Sequence, residues 1–522
     1  MPFLGSEDEA LVPVELKGKE RKRFYEPIVL LLALTKACMH NNAPKVLEQA
    51  PEIAFQTPEQ LFHGFINDLA QICDTKRGGN TVTAIVVLQY PERVQYRLAS
   101  NQRDEVELAQ VESFLKDILN TLQAWKKEES DLVKARILRK VVAFNRPRLQ
   151  LYVRAIHNQS KICLEEQISD IPAQTTEKLK NLQDLSAKAD DRGLEEASFF
   201  KNCEELMRFA KDLSRSETYR ILRDKATTAN GQTSPWGELR HAAGRLQSYL
   251  QGVKTLVEAR KYWDRLFHDF EIVCLPSSTA IPSPLPRNNL RAEDIISRMT
   301  SDEAKGRSYK RSVQDLQIFG LDEDIQKQVK NKNFYTIVHA EALVHQSIIS
   351  DNDLKSLHPT KFFDSYRYIG CSKPTCRLCH YYFLACGDGV QVRQTHRNLY
   401  PNWRVPDIYP DQGERAVKRR VEILSKMNDP IRKDTFRTLD DKVGERRPHD
   451  SNTDPTYKHG TSDTEKGDHE GIQDQQERLA EPDEGGDGQA LTGFDEIDGA
   501  RKMAEPEGEE DDDDDGGVRI SL

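Results

Sequence analysis

The sequence predicts an α/β protein that carries a large α-helical insertion and ends in a disordered acidic tail. Three observations lead there. Residues 81–100, TVTAIVVLQYPERVQYRLAS, read as a β-hairpin. Between about 331 and 437, short strand signals alternate with helical ones. From about 103 to 270 the chain is rich in Leu, Lys, Glu, Ala and Arg, in amphipathic stretches with no fixed repeat, which predicts a helical bundle and not a solenoid.

In chain order, residues 1–102 hold two helices and the hairpin. Apolar residues at intervals of three and four predict helices over 24–40 and 58–74. TVTAIVVL is apolar on both faces, the pattern of an inner strand. In the second strand Val94, Tyr96 and Leu98 alternate with Arg93, Gln95 and Arg97, which predicts a half-exposed outer strand. Residues 103–330 form the insertion. Within it, the proline-rich FEIVCLPSSTAIPSPLPRNN reads as a linker or surface loop, and helical signals resume at 313–330. Residues 331–437 make the remaining core. NFYTIV leads into a helix that begins His-Ala-Glu, SYRYIGC is a strand, CRLCHYYFLAC a helix and GVQVRQTH a strand. Residues 438–522 are too polar to offset their ordering entropy.

Charge separates the tail from the rest. The 522-residue chain has a net charge of −10, but residues 441–522 alone carry 26 acidic and 9 basic residues, a net of −17. The remainder is therefore +7, which permits an anionic nucleotide or nucleic-acid ligand without demanding one. The longest apolar run, IVLLLALTKACM, is too short to span a bilayer, and the acidic N-terminus does not resemble a signal peptide. A cytoplasmic or nuclear protein without membrane contact is expected. A protein partner would use the insertion or the acidic tail. KERKRF and VKRRVE read as solvated helix faces.

Four of the nine cysteines, Cys371, Cys376, Cys379 and Cys386, fall within sixteen residues. In a reducing compartment such a cluster points to metal or catalysis more than to disulfides. Cys376 and Cys379 share a face at a helix start, where free backbone N–H groups favour thiolate. His339 could be the third ligand, and Glu341 would then stand beside the metal-bound water without binding the metal. A His-Glu-x-x-His protease site is excluded, because His339 and His345 are six apart, about 240° around a helix. A closed structural zinc site, in a non-catalytic interaction protein built on a helical platform, is the competing reading. It would use Cys371, Cys376, Cys379 and either His380 or Cys386, and would leave no position open. His-x-Glu followed by Cys-x-x-Cys on a second helix start has the spacing of zinc deaminases.

On VHAEALVH, YIGCSKPTCRLC, THRNLYPNWRVP and the earlier hairpin, the sequence resembles the nucleic-acid and nucleotide deaminases of the cytidine deaminase-like superfamily. Within it, the nearest likeness is to a fungal group related to bacterial toxin deaminases. The resemblance implies a three-layer mixed sheet with helices on both faces, the hairpin's first strand inside the sheet and its second at the edge. It implies Zn2+ held by His339, Cys376 and Cys379, with Glu341 as the proton shuttle. The reaction implied is hydrolytic deamination of a cytosine- or adenine-type base. Asn101 matches a position that often contacts the nucleoside, although a helix cap explains it equally. His396 and Trp403, with Tyr400, could line a base pocket or form a surface aromatic cluster. The sequence departs from the family motif at Thr375, which separates Pro374 from the first ligand cysteine.

Overall fold

A computed structural model describes residues 12–41, 45–46, 57–126, 129–166, 171–190, 193–228, 234–286, 289–350 and 362–446. Helix α1 (Gly18–Asn41) and helix α2 (Pro58–Cys73) precede strands β1 (Thr83–Gln89) and β2 (Val94–Ser100). The insertion follows as α3 (Glu105–Gln123), α4 (Ser130–Phe144), α5 (Arg146–Glu166), α6 (Ala173–Ala189), α7 (Glu196–Leu213), α8 (Glu217–Thr228) and α9 (Pro235–Tyr262). The chain returns to the sheet as β3 (Phe270–Cys274), then forms α10 (Ala292–Met299), α11 (Glu303–Asp315) and α12 (Leu321–Lys330). The last part contains α13 (Ala340–Ser350), β4 (Tyr368–Cys371), α14 (Arg377–Cys386), β5 (Gln391–Val392) and α15 (Gly413–Asp441). All described residues fall within one of the two compact units into which the chain divides. None of the described helices is long and apolar enough to cross a membrane.

The five strands make one mixed sheet in the order β3-β2-β1-β4-β5. Strand β1 pairs antiparallel with both β2 and β4, while β2–β3 and β4–β5 are parallel. The pleat sends alternate β1 residues to opposite faces. Ile85 and Val87 join the core under α2 and the insertion, whereas Ala84, Val86 and Leu88 join the core under α1, α13 and α14. Burial on both faces is why the strand carries no polar alternation. At Gly370 in β4, an added Cβ would lie 2.5 Å from Ile66 Cγ2 and 2.9 Å from the Ile66 carbonyl carbon. Only glycine permits β4 to approach α2 this closely.

Two expectations change. FEIVC is not a linker but strand β3, and it lies beside β2. Consequently β2 is not the sheet edge, and all seven of its residues are buried. Its polar side chains are accommodated by pairing. Arg97 donates to Gln95 Oε1 (3.0 and 2.7 Å) and to the Ser347 carbonyl (3.1 Å), and Gln95 donates to Glu271 at 3.1 Å. The expected tail begins inside α15, which continues to Asp441; from residue 447 it lies outside the described residues.

The insertion is tied to the sheet through the C-terminus of α2. Helix ends leave carbonyls without intrahelical partners. Here Asn145 donates to the Ile72 carbonyl (2.8 Å), Arg103 to that of Cys73 (2.5 Å) and Arg148 to that of Asp74 (2.7 Å). Arg148 also pairs with the Asp74 carboxylate at 2.5 Å, both side chains being 2% exposed or less.

Candidate metal centre

His339 directly precedes α13, and its carbonyl accepts the N–H of Leu343 at 3.0 Å, so it occupies the cap position of that helix. Cys376 is the N-cap of α14, its sulfur accepting the backbone N–H of Cys379 at 3.4 Å. The two helix starts meet. His339 Nδ1 lies 3.5 Å from Cys376 Sγ and 3.6 Å from Cys379 Sγ, and all three residues are buried. Together they form a donor group that can hold a metal ion. His339 Nε2 is buried without a hydrogen-bond partner among the described residues.

Glu341 lies one residue into α13, 3% exposed, with Oε2 at 3.8 Å from Cys379 Sγ. Burial raises its carboxyl above the usual glutamate range, against the lowering effects of His339 and of the Cys371 thiol that hydrogen-bonds to it. Burial opposes ionisation of Cys376 as well. There the hydrogen bond from Cys379, the charge of His339 and the backbone N–H outweigh it, and the thiol is held well below its ordinary value.

Cys371 is on β4, fully buried, and partners Glu341 instead of joining the donor group. Cys386 belongs to a separate group with His345 and Asp388. Both ring nitrogens of His345 are engaged there, one by Tyr382 Oη (2.9 Å) and the other by Asp388 (2.8 Å), so α13, α14 and the following turn are tied together.

Asn101 is 239 residues from α13 in sequence and adjacent in space. Its Oδ1 accepts the Ala340 N–H at 2.8 Å and its Nδ2 donates to the Gly79 carbonyl at 2.8 Å. It does not cap α3, whose N-cap is Asp104. Asn101 therefore orients the helix start that carries His339 and Glu341. Asn101→Ala should destabilise the chain by about 0.5–2 kcal/mol in chemical denaturation, the usual loss for a helix cap. Asn101→Asp keeps the acceptor for Ala340 but replaces the donor to Gly79 with an oxygen and buries a charge, so it should be no more stable than Asn101→Ala.

His396 is 2% exposed, with its backbone N–H on the Thr375 carbonyl (3.1 Å) and its ring 5.7 Å from that of Tyr400, which in turn lies 6.4 Å from that of His339. It is thus two ring contacts from the His339 imidazole. Trp403 is fully buried and sends its indole N–H to Cys379 Sγ at 3.3 Å. It packs on Phe24 and Tyr382, so it is not part of a surface aromatic cluster. Sequence reasoning missed this contact, and the contacts of Cys371 with Glu341 and of Asp388 with His345. No local spacing signals any of them.

Residues 338–407 match the family model described as OTT_1508_deam-like deaminase. This segment is similar to a deaminase domain. The match spans His339, Glu341, Cys376, Cys379, His396 and Trp403, and Asn101 lies outside it. No curated protein and no solved structure matches the chain. The deaminase-like segment thus coincides with the part of the chain in which the two donor-bearing helix starts converge.

Proposed function

We propose that the protein is a zinc-dependent hydrolytic deaminase of the cytidine deaminase-like kind, acting on a cytosine- or adenine-type base in a nucleotide or nucleic acid. The observation that carries this reading is the convergence of one imidazole nitrogen and two sulfurs, with a buried non-ligating carboxylate beside them. The donor set suits the ion. Tetrahedral Zn2+ with Zn–N of about 2.0 Å and Zn–S of about 2.3 Å keeps nitrogen and sulfur about 3.5 Å apart. The separations here are 3.5 and 3.6 Å. Three protein ligands leave a fourth position, the arrangement of catalytic rather than structural sites.

His339, Cys376 and Cys379 would hold the ion, and when bound it supplies an acidified water at neutral pH. Glu341 would take one proton from the nucleophile and deliver it to the ring nitrogen of the base, then take the remaining proton from the added hydroxyl as the carbonyl forms and pass it to the amine, which leaves as ammonia. A single carboxylate suffices for these transfers because they occur on the same edge of the ring. His396 is kept as a substrate-side residue in this reading, and Asn101 as the residue that fixes the helix start.

The competing closed site requires Cys371 as a ligand, yet that thiol is directed to Glu341. Metal analysis of the full chain separates the two. One zinc per chain is expected, retained in Cys371→Ala and lost in His339→Ala. Zinc lost in Cys371→Ala and kept in His339→Ala would instead make the site structural. Substrate class is tested by ammonia release from nucleosides, nucleotides and single-stranded nucleic acids, with Glu341→Ala as the control. Ammonia release that persists in that control refutes the assignment.

A further inference from the structure

Trp403 is the largest fully buried side chain among the described residues. A buried indole N–H needs an acceptor, and this one has the Cys379 sulfur at 3.3 Å. A neutral thiol is a poor acceptor, whereas a thiolate in a dry interior is a good one. The hydrogen bond is therefore adapted to the ligand form of Cys379.

The rest of the residue is fixed from three sides. Its ring lies 5.9 Å from Phe24 of α1 and 6.1 Å from Tyr382 of α14. Its backbone forms a parallel bridge with Ile337, two residues before His339. On either side, Ile337 donates to the Asn402 carbonyl and Arg404 to the Ile337 carbonyl, each at 2.8 Å. Trp403 thus holds the segment leading to the histidine ligand through its main chain and touches a cysteine ligand through its side chain. It bridges the two helix starts on which the centre is built.

We propose that Trp403 is a positioning residue of the metal centre: its indole N–H aims the Cys379 sulfur at the ion and draws electron density from it. This rests on the zinc reading above. A sulfur that donates less leaves the ion more electron-deficient, and outer hydrogen bonds of this kind also fix ligand orientation.

The test uses the full chain loaded with Co2+, whose sulfur-to-metal charge-transfer band reports the electron richness of the thiolates. Trp403→Phe removes the N–H. Because that change also thins the core, a second chain carries 3-benzothienylalanine at position 403, which keeps the shape of the indole and lacks the N–H. Both should move the band to lower energy, speed iodoacetamide alkylation of Cys379 and weaken metal affinity by about 10–100-fold. Phe24→Leu disturbs the same packing but leaves the N–H, and should leave the band in place. A band unmoved in the benzothienyl chain, or moved equally by Phe24→Leu, overturns the role of Trp403 alone. A wild-type chain with no charge-transfer band at all overturns the metal reading together with it.

Discussion

Replacing Glu341 by glutamine should abolish measurable deamination, a loss of at least about 10²–10⁴-fold, while the metal content stays at the wild-type level. Glutamine preserves the shape of a side chain that is 3% exposed, so a collapse of the helix start would not explain the loss. It also keeps an oxygen able to accept from Cys371, whose thiol partners the carboxylate. What it cannot do is take up and release a proton. Ammonia release and metal analysis on the same preparation decide the matter. A variant that loses zinc along with activity would make Glu341 a ligand; one that keeps activity would remove it from the reaction.

The largest stability effect is expected at Asp74. Its carboxylate and the Arg148 guanidinium are 1% and 2% exposed and 2.5 Å apart. Removing one member of such a pair leaves an uncompensated buried charge, so Asp74→Ala should cost about 3–5 kcal/mol in denaturant unfolding. Burial alone would raise the Asp74 pKa. The charges of Arg148 and Lys373, with hydrogen bonds from Arg148 and Thr81, overcome it and hold the carboxyl below the ordinary aspartate value. A lowered carboxylate contributes stability that is fully present above the unfolded pKa of about 3.9 and is lost as pH falls toward the folded value. Melting curves taken across acid pH should therefore show a loss below about pH 4 that is smaller in Asp74→Asn. If Asp74→Ala melts like the wild type, the insertion is not fastened to the sheet through this pair.

The helix starts at His339 and Cys376 were legible in the sequence because their chemistry is local. His339 and Glu341 are two residues apart, and Cys376 and Cys379 three. Strand β1 was legible for a similar reason, since seven residues with no exposed face admit few other readings. What stayed hidden depends on partners far along the chain. Gln95 and Arg97 look like a solvent face by alternation, yet they are buried by bonding to each other, to Ser347 and to Glu271. FEIVC is a strand because β2 offers it an edge, and the prolines that follow it mask that pairing. Asn101 has the composition of a cap, but the helix whose start it satisfies is α13, not the neighbouring α3. Nothing near Trp403 in sequence points to a sulfur 24 positions earlier.

The parallel pairing of β2 with β3 has a consequence for biosynthesis. About 170 residues separate Ser100 from Phe270, and at ribosomal rates these take roughly 10–30 s to emerge. For that interval the nascent hairpin has one flank of β2 unpaired, an edge able to recruit strands from other chains. Chaperone capture of ribosome-bound intermediates should thus concentrate between the appearance of the hairpin and that of β3. Nor can the intervening bundle be excised and closed with a tight turn, because strands running in the same direction require a crossover of a dozen residues or more.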